Sequence, residues 1–280
     1  MRVVQLSDTH LSQRGGVTTA NFERLARFVN TTLAPDLVVT TGDLAMADPD
    51  REPDLVAARL LHDLVDAPVR MLPGNHDVGE VGPDPWRGVT ATDRRRDAYC
   101  AVFGADRWLE LVDGWAVLGI NSQLCGSGLA AEAEQWAWLA SALEVVGARP
   151  VLLFGHKPLF WPMPGPSGDP TLALPPADRD RLLGLFAPGQ LRLVASGHLH
   201  RYRRRRRDDL LEVWAPSTAF LAGEDSDEEL PEGLEQLGVV DYRCSAGAVE
   251  ARFATVPELE QLDVHAVPEF EATLAAMAGT

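Results

Sequence analysis

The chain alternates short apolar runs with longer segments in which apolar residues recur every three or four positions. Short runs of β-branched and other apolar residues have the length and composition of buried strands. Five such runs occupy residues 3–6, 37–40, 69–72, 151–154 and 191–195. Helical spacing predicts amphipathic helices at two sets of positions: Phe22, Leu25, Val29 and Leu33, then Trp136, Leu139, Leu143 and Val146. The pattern therefore predicts strands that are connected by helices.

Three pairs of neighbouring runs are predicted to form hairpins. Residues 108–112 and 115–120 flank Asp113-Gly114, a pair that accepts the positive φ angles of a tight turn. The other two hairpins join residues 201–207 to 210–214 and residues 239–243 to 248–254. Alternating units combined with hairpins predict an α/β (α+β) fold. In this fold two packed mixed β-sheets are flanked by helices, because each sheet must cover an apolar face.

The 280 residues are long enough for one large domain with a C-terminal extension. We assign residues 1–255 to the domain. Residues 256–280 end in an Ala-rich segment that fits either a tail or a docked helix, and the pattern leaves both open. Residues 158–176, rich in Pro and Gly, and residues 223–235, rich in Asp and Glu, are typical of surface loops.

The chain is acidic, with 25 Lys and Arg residues against 41 Asp and Glu residues. This balance disfavours binding to nucleic acid or to anionic lipid through general electrostatic attraction. No run approaches the ~20 apolar residues of a membrane span, and the first residues lack a signal-peptide pattern, so we expect a cytoplasmic protein without a membrane partner. Three widely spaced cysteines indicate neither a disulfide framework nor a thiolate zinc site.

Five short polar motifs each follow one of the apolar runs. They are Asp8-Thr9-His10, Gly42-Asp43, Gly74-Asn75-His76-Asp77, Gly155-His156 and Gly197-His198-Leu199-His200. Ligands of open sheets bind beyond the carboxyl ends of the strands, so motifs from distant parts of the chain are predicted to converge on one site.

The motifs contain more candidate metal ligands than one ion can take. The candidates are Asp8, His10, Asp43, Asn75, His156, His198 and His200. Two ions that share a carboxylate ligand fit this number better than one four- or six-coordinate ion. Mixed oxygen and nitrogen donors without thiolate suit divalent or trivalent Mn, Fe, Zn or Co better than Ca. The metal pair itself is not fixed by the pattern.

In this order, the motifs resemble those of the calcineurin-like metallophosphoesterase family over residues 8–200. The resemblance implies a four-layer sandwich and a dinuclear site in which Asp43 bridges the ions. It implies that Asp8, His10 and His200 complete one metal position and that Asn75, His156 and His198 complete the other. It further implies that His76 is not a ligand but contacts phosphate and donates a proton to the leaving group, with Asp77 orienting its ring.

Among compact members of the family, the chain is most similar to bacterial class III cyclic nucleotide phosphodiesterases. This implies hydrolysis of a small nucleotide phosphodiester, such as 3',5'-cyclic AMP, by a metal-bridging hydroxide. A phosphomonoesterase or nucleotide pyrophosphatase with the same site is an alternative, and a non-catalytic metal-binding scaffold is an alternative of another class. Dimers occur among similar enzymes, so a homodimer is compatible with the resemblance.

Several other features have both a structural and a functional interpretation. Residues 201–207 hold six arginines, which fit an exposed strand balanced by acidic loops, a nucleic-acid patch, or a positive rim near His200. Residues 126–131 imitate a dinucleotide-binding loop, but the expected acidic residue is missing, so we predict a loop before a helix.

Four single residues near or outside the motifs also need an interpretation. Lys157 stands where many relatives have a His, and it is predicted either to touch substrate phosphate or to be solvated. Trp161 is predicted to pack, or to stack on a base. His62 and His265 match no motif and stay outside the predicted site.

Overall fold

The computed structural model describes residues 1–82, 88–160, 170–222 and 233–278. Eleven strands and seven α-helices cover most of this part of the chain. The strands are β1 (Arg2–Leu6), β2 (Leu37–Thr41), β3 (Val69–Leu72), β4 (Trp108–Val112), β5 (Trp115–Gly119), β6 (Val151–Phe154), β7 (Leu191–Ser196), β8 (Arg203–Arg207), β9 (Leu210–Trp214), β10 (Val239–Ser245) and β11 (Ala248–Ala254). The helices are α1 (Val17–Phe28), α2 (Glu52–His62), α3 (Asn75–Val78), α4 (Asp93–Phe103), α5 (Ala130–Val146), α6 (Pro176–Leu183) and α7 (Pro268–Ala278).

The strands form two mixed sheets. The first has the order β11-β10-β1-β2-β3, and its β1, β2 and β3 are parallel while β10 and β11 are antiparallel to their neighbours. The second has the order β4-β5-β6-β7-β9-β8, with a parallel centre and an antiparallel strand at each edge. In each parallel centre the strands end at the same edge of the sheet, which brings the loops that follow them together.

Three apolar clusters fill the spaces between four layers. The first lies between the sheets and combines residues of both, such as Val39 of β2 and Leu193 of β7. A second packs α1 against the outer face of the first sheet through Phe22 and Leu25. A third packs α5 against the outer face of the second sheet through Trp136 and Leu139. The predicted α/β architecture of two packed mixed sheets flanked by helices is confirmed.

The predicted hairpins and apolar strands are present, with small shifts at their ends. The first hairpin turns at Asp113, whose φ of 49° is the positive value expected of an Asp-Gly turn. The helix predicted from the spacing of Phe22 to Leu33 continues past Phe28 as a π-helical segment over Val29–Leu33 and stops at Ala34, where φ is 43°. The sequence pattern predicted the apolar face but not this change of helix type.

The end of the chain forms α7 after a short 3-10 turn at Val264–Ala266. Its apolar side belongs to a fourth cluster, which includes Met46, Phe220 and Val267. The same cluster contains the partly buried Phe270 and Leu274. The C-terminal helix therefore packs on the edge of the fold that carries the motif loops. The division of the chain at residue 255 remains a prediction.

The buried His62, which lies outside the motifs, should make the stability of the protein depend on pH. It is buried at the end of α2, its Nδ1 donates to the Ala58 carbonyl at 2.8 Å, and burial lowers its pKa to about 4. An unfolded histidine titrates near ~6.5, so the unfolded chain takes up the proton first and stability falls as the pH drops through this range. We expect His62→Leu to remove up to about 3 kcal/mol of the stability lost between neutral pH and about pH 4.

The measurement is urea unfolding of chelator-treated protein at a series of pH values. His265→Leu is the matched control, because the side chain of His265 is 58% exposed. It should retain the wild-type pH slope. An unchanged slope in His62→Leu would contradict the assignment.

Candidate metal centre

The five motifs lie in loops that the two sheets bring together. After β1 and β2, the amide of Asp8 donates to the Gly42 carbonyl and that of His10 donates to the Asp43 carbonyl, at 3.1 and 2.9 Å. After β6 and β7, the amide of Gly197 donates to the His156 carbonyl at 2.9 Å. The two loop pairs meet where the amide of His198 donates to the Asp8 carboxylate, at 3.1 and 3.2 Å from its two oxygens. The predicted convergence is therefore present.

Five of the seven predicted ligands have a left-handed backbone. Their φ angles are 52° for Asp8, 42° for His10, 49° for Asp43, 72° for His198 and 53° for His200. Such angles are uncommon outside glycine and persist where the surrounding structure holds them, typically at functional sites. The turns let each loop leave its strand sharply while the side chain faces the centre.

Two motif glycines make room for the neighbouring side chains. A β-carbon built at Gly42 would meet Nδ1 of His156, and one built at Gly74 would overlap the carboxylate of Asp43. Gly42 also has a φ of 87°, which favours glycine. The glycine before each motif acid or amide is therefore required by close packing in the centre.

One donor cluster consists of Asp8, His10 and His200. Their ligand atoms lie within 4.8 Å of one another. Nε2 of His200 is 3.4 Å from Oδ1 of Asp8 and 3.3 Å from Nε2 of His10. All three residues are buried, so the donors face one another out of bulk water.

A second donor cluster consists of Asp43, His156 and His198, with Asn75 beside it. Nε2 of His156 is 3.4 Å from Oδ2 of Asp43, 2.9 Å from Oδ1 of Asn75 and 3.2 Å from Nδ1 of His198. The same Oδ2 of Asp43 is 3.9 Å from Nε2 of His10, a member of the first cluster. Asp43 thus lies between the two clusters.

Backbone carbonyls hold the outer nitrogen of each imidazole. Nδ1 of His10, His156 and His200 donates to the carbonyls of Met46, Thr41 and Phe220, respectively, at 2.8, 2.8 and 3.0 Å. His198 is reversed, because its Nε2 donates to the Thr171 carbonyl at 2.7 Å and its Nδ1 faces the centre. Such contacts fix the orientation of each ring and direct its other nitrogen at the centre, as in metal sites.

The titration behaviour of the donors also fits metal binding. Burial lowers the pKa of His10 to about 4 and that of His198 to about 3, so both rings are neutral near neutral pH. Burial opposes charge on His156 as well, but the Asp43 carboxylate raises its pKa to about 9. The neutral rings of His10 and His198, together with ionised carboxylates and an amide oxygen, match ions that accept nitrogen and oxygen ligands, such as Mn, Fe, Zn and Co, whereas His156 would have to give up a proton to bind an ion. Among the described residues, three groups could hold a metal ion: the two clusters above and a group of His10, Asp43 and His76; none of them includes His62 or His265.

His76 lies beside both clusters. Its Nδ1 donates to the Met46 carbonyl at 3.1 Å, and its Nε2 is 3.9 Å from Oδ2 of Asp43. Its side chain is 15% exposed, more than those of His10 and His156, which makes it accessible to a substrate.

The prediction that Asp77 orients the ring of His76 is wrong. The Asp77 carboxylate accepts hydrogen bonds from the backbone amides of Leu44, Ala45 and Gly74, at 2.8–3.1 Å. Burial and the nearby Asp43 raise the pKa of Asp77 to about 7. Asp77 therefore joins the loops that carry Asp43 and Asn75, and the Met46 carbonyl takes the orienting role for His76.

Lys157 is neither solvated nor directed at the predicted metal ligands. Its side chain is 1% exposed, and its Nζ contacts the carboxylate of Glu80 and the carbonyl of Pro170. Glu80 is equally buried, with 3% exposure. The prediction of a solvated Lys157 is therefore wrong, and its contact with phosphate stays a prediction. The pair connects the loop of His156 to the segment that follows α3.

Five of the six arginines in residues 201–207 form β8 (Arg203–Arg207), an edge strand of the second sheet. Arg201 pairs with Glu235 at 3.1 Å and Arg207 pairs with Glu212 at 3.2 Å. The guanidinium of Arg203 lies 4.7 Å from the ring centre of Trp214. The exposed strand is confirmed. The balancing loop of residues 224–229, like Trp161, lies outside the described residues.

The loop that imitates a dinucleotide-binding motif binds its own chain. The carboxylate of Glu132 accepts hydrogen bonds from the amides of Gly126 and Gly128, at 3.0 and 2.9 Å. These amides are therefore already occupied by a side chain of α5.

In the described ranges, no helix combines the length and the hydropathy that crossing a lipid bilayer requires.

Comparisons with known proteins agree on one family. Residues 1–202 match a family model described as calcineurin-like phosphoesterase. The chain is 28% identical over 215 residues to a probable glycerophosphodiester phosphodiesterase, GpdQ, of Arcobacter nitrofigilis, and this match covers 72% of each protein. It is also 28% identical over 207 residues to the serine/threonine-protein phosphatase CPPED1 of Danio rerio. That match covers 69% of this chain and 62% of the relative, so the chain spans less than two thirds of the relative's length.

The fold is also found in solved structures. The purple acid phosphatase PPD1 of Lupinus luteus superposes with a TM-score of 0.66 at 12% sequence identity, covering 94% of this chain and 52% of that one. At this identity the likeness shows the shared architecture.

Proposed function

We propose, since the chain belongs to the calcineurin-like phosphoesterase family, that it hydrolyses phosphodiesters of small nucleotides at a centre for two metal ions. The observation that carries the proposal is the pair of donor clusters that meet at Asp43. Asp8, His10 and His200 would hold one ion, and Asn75, His156 and His198 would hold the other. When bound, such ions supply Lewis acidity to phosphoryl oxygens and lower the pKa of water towards ~7.

The protein's own residues complete the reaction. Hydrolysis of an alkyl ester requires a proton for the leaving oxygen, because an alkoxide leaves poorly. Nδ1 of His76 is engaged with the Met46 carbonyl, so Nε2 is the nitrogen that faces the centre. We assign the proton transfer to this nitrogen. Asp77 supports the reaction through hydrogen bonds to backbone amides, which hold the loops of Asp43 and Asn75 together.

The substrate is inferred from chemistry and similarity together. The net charge of −16 disfavours extended polyanions, which favours a small ester over nucleic acid. Similarity to a probable glycerophosphodiester phosphodiesterase supports diester hydrolysis. A cyclic nucleotide such as 3',5'-cyclic AMP meets both conditions.

Hydrolysis of bis(p-nitrophenyl) phosphate by chelator-stripped protein, before and after Mn²⁺ is added, tests the proposal. Rates on p-nitrophenyl phosphate are measured in parallel. Metal-restored preference for the diester supports a phosphodiesterase and leads to a screen of cyclic nucleotides. Metal binding without turnover of either ester would contradict the proposal and favour a scaffold.

A phosphomonoesterase or nucleotide pyrophosphatase is the second candidate. Similarity to the phosphatase CPPED1 favours it, and the same donor clusters would serve it. Preference for p-nitrophenyl phosphate over the diester in the same assay would select this candidate.

We expect His76→Ala to retain metal but to slow hydrolysis of an alkyl diester such as glycerophosphoethanolamine about 10²-fold or more. The effect on bis(p-nitrophenyl) phosphate should be smaller, because p-nitrophenolate leaves without a proton. Metal content and kcat are measured for both substrates, with His265→Ala as the control. Equal losses on the two esters, or none, would contradict the role of His76 as the acid.

A further inference from the structure

The C-terminal helix α7 brings an aromatic ring to the metal centre. The ring of Phe270 is 6.3 Å from that of His76 and 6.4 Å from that of His10, measured between centroids. It is also 5.2 Å from the ring of Phe220, at an angle of 61°. Phe220 in turn stacks on His10 at 4.5 Å. The centre therefore has an aromatic side, part of which comes from a segment beyond the residues matched by the family model.

The helix is fixed in this position by polar contacts at its start. The buried carboxylate of Glu269 accepts a hydrogen bond from the amide of Thr18 at 3.1 Å. Before the helix, two backbone hydrogen bonds connect Leu221 to the segment of residues 262–264. The amide of Leu221 donates to the Leu262 carbonyl at 2.8 Å, and the amide of Val264 donates to the Leu221 carbonyl at 3.0 Å. The loop that carries Phe220 and the segment that carries Phe270 are thus connected directly.

The position of Phe270 relative to His76 indicates its partner. If His76 protonates the leaving oxygen, the leaving group lies on the His76 side of the centre. Phe270 is partly exposed and lies on that side, whereas the ring of Phe220 is occupied by its stacking on His10. Aromatic rings bind planar groups in offset or edge-to-face contacts.

We propose that Phe270 determines specificity by contacting the leaving group of the ester, which favours leaving groups that carry a planar aromatic or heteroaromatic ring. This inference rests on the proposed function. A contact between aromatic rings corresponds to a preference of roughly 2- to 10-fold.

Calorimetric binding of phenylphosphonate and methylphosphonate to the Mn²⁺-loaded full chain measures the contact without turnover. Wild-type protein should bind phenylphosphonate more tightly, by a factor that includes this 2- to 10-fold contribution. Phe270→Leu retains the apolar volume but removes the ring, so it should lose the contribution while keeping its affinity for methylphosphonate. Phe270→Tyr should retain it.

Leu274→Ala is the matched control, because Leu274 belongs to the same helix and the same apolar cluster. It should keep the wild-type preference. An equal loss in Leu274→Ala and Phe270→Leu would show that helix packing, not the ring, is responsible, and would overturn the inference. An unchanged preference in Phe270→Leu would also overturn it.

The two proposals fail in different ways. Absence of ester hydrolysis, combined with a phenyl preference that depends on Phe270, would contradict the proposed function alone. Diester hydrolysis with a preference that does not depend on Phe270 would contradict only the role of this residue.

Discussion

Asp43→Asn is expected to lower kcat/KM about 10³-fold and to weaken metal binding at both donor clusters. The reason is the position of one carboxylate oxygen, Oδ2, which is 3.4 Å from His156 and 3.9 Å from His10. In the wild-type protein the backbone amide of His76 donates to Oδ1 of Asp43 at 2.8 Å. Asparagine keeps an acceptor for this amide but removes the negative charge. A charge shared by two ions is worth several kcal/mol, and each ~1.4 kcal/mol is a factor of ten.

Metal content after dialysis and kcat/KM on bis(p-nitrophenyl) phosphate measure this effect. Asp209→Asn is the matched control, because the Asp209 side chain is 78% exposed in the turn between β8 and β9. It should behave as wild type. Full metal content with full activity in Asp43→Asn would refute the shared-ligand assignment, and loss at only one cluster would show that Asp43 belongs to a single site.

Lys157→Met is expected to destabilise the protein by about 3–5 kcal/mol, because it leaves the Glu80 carboxylate buried without its cation. Burial raises the pKa of Glu80 and Lys157 opposes that rise, so removal of the lysine raises the pKa further. A carboxyl whose folded pKa is raised is compatible with folding when protonated, and its penalty grows as the pH rises through that pKa. The destabilisation should therefore shrink on acidification.

Urea unfolding at neutral and acidic pH checks both parts of this prediction. Arg59→Met is the control, because it breaks the exposed pair of Arg59 with Asp63 and should cost less than about 1 kcal/mol. A loss in Lys157→Met as small as that of the control would show that the buried pair contributes little. A loss independent of pH would show that Glu80 is not the group left uncompensated.

The sequence predicts an element of the fold well where the signal for that element lies in a short stretch of neighbouring residues. The Asp113-Gly114 pair is a local signal for a tight turn and the apolar run at residues 151–154 is one for a buried strand, and both elements are found as predicted. The convergence of the motifs is also predictable, because each motif follows a strand and strand ends converge, while the ligand roles of their side chains stay predictions. The change to a π-helical turn at Val29 had no comparable local signal.

Other parts of the centre depend on contacts that no local pattern encodes. The Thr41 and Phe220 carbonyls that orient His156 and His200 belong to backbone groups, which every residue possesses. The pairing of Lys157 with Glu80 joins residues 77 positions apart. The role of Asp77 was implied by the family resemblance, whereas the turn at Gly74 directs its carboxylate to backbone amides instead of the His76 ring.

The carbonyl of Met46 accepts hydrogen bonds from Nδ1 of both His10 and His76. One peptide group thus holds a proposed metal ligand and the proposed acid at the same time. A rotation of this peptide would remove the hydrogen bond of both rings at once. If the proposed roles hold, the orientation of a ligand in the first donor cluster and that of the proton donor would depend on the same oxygen atom.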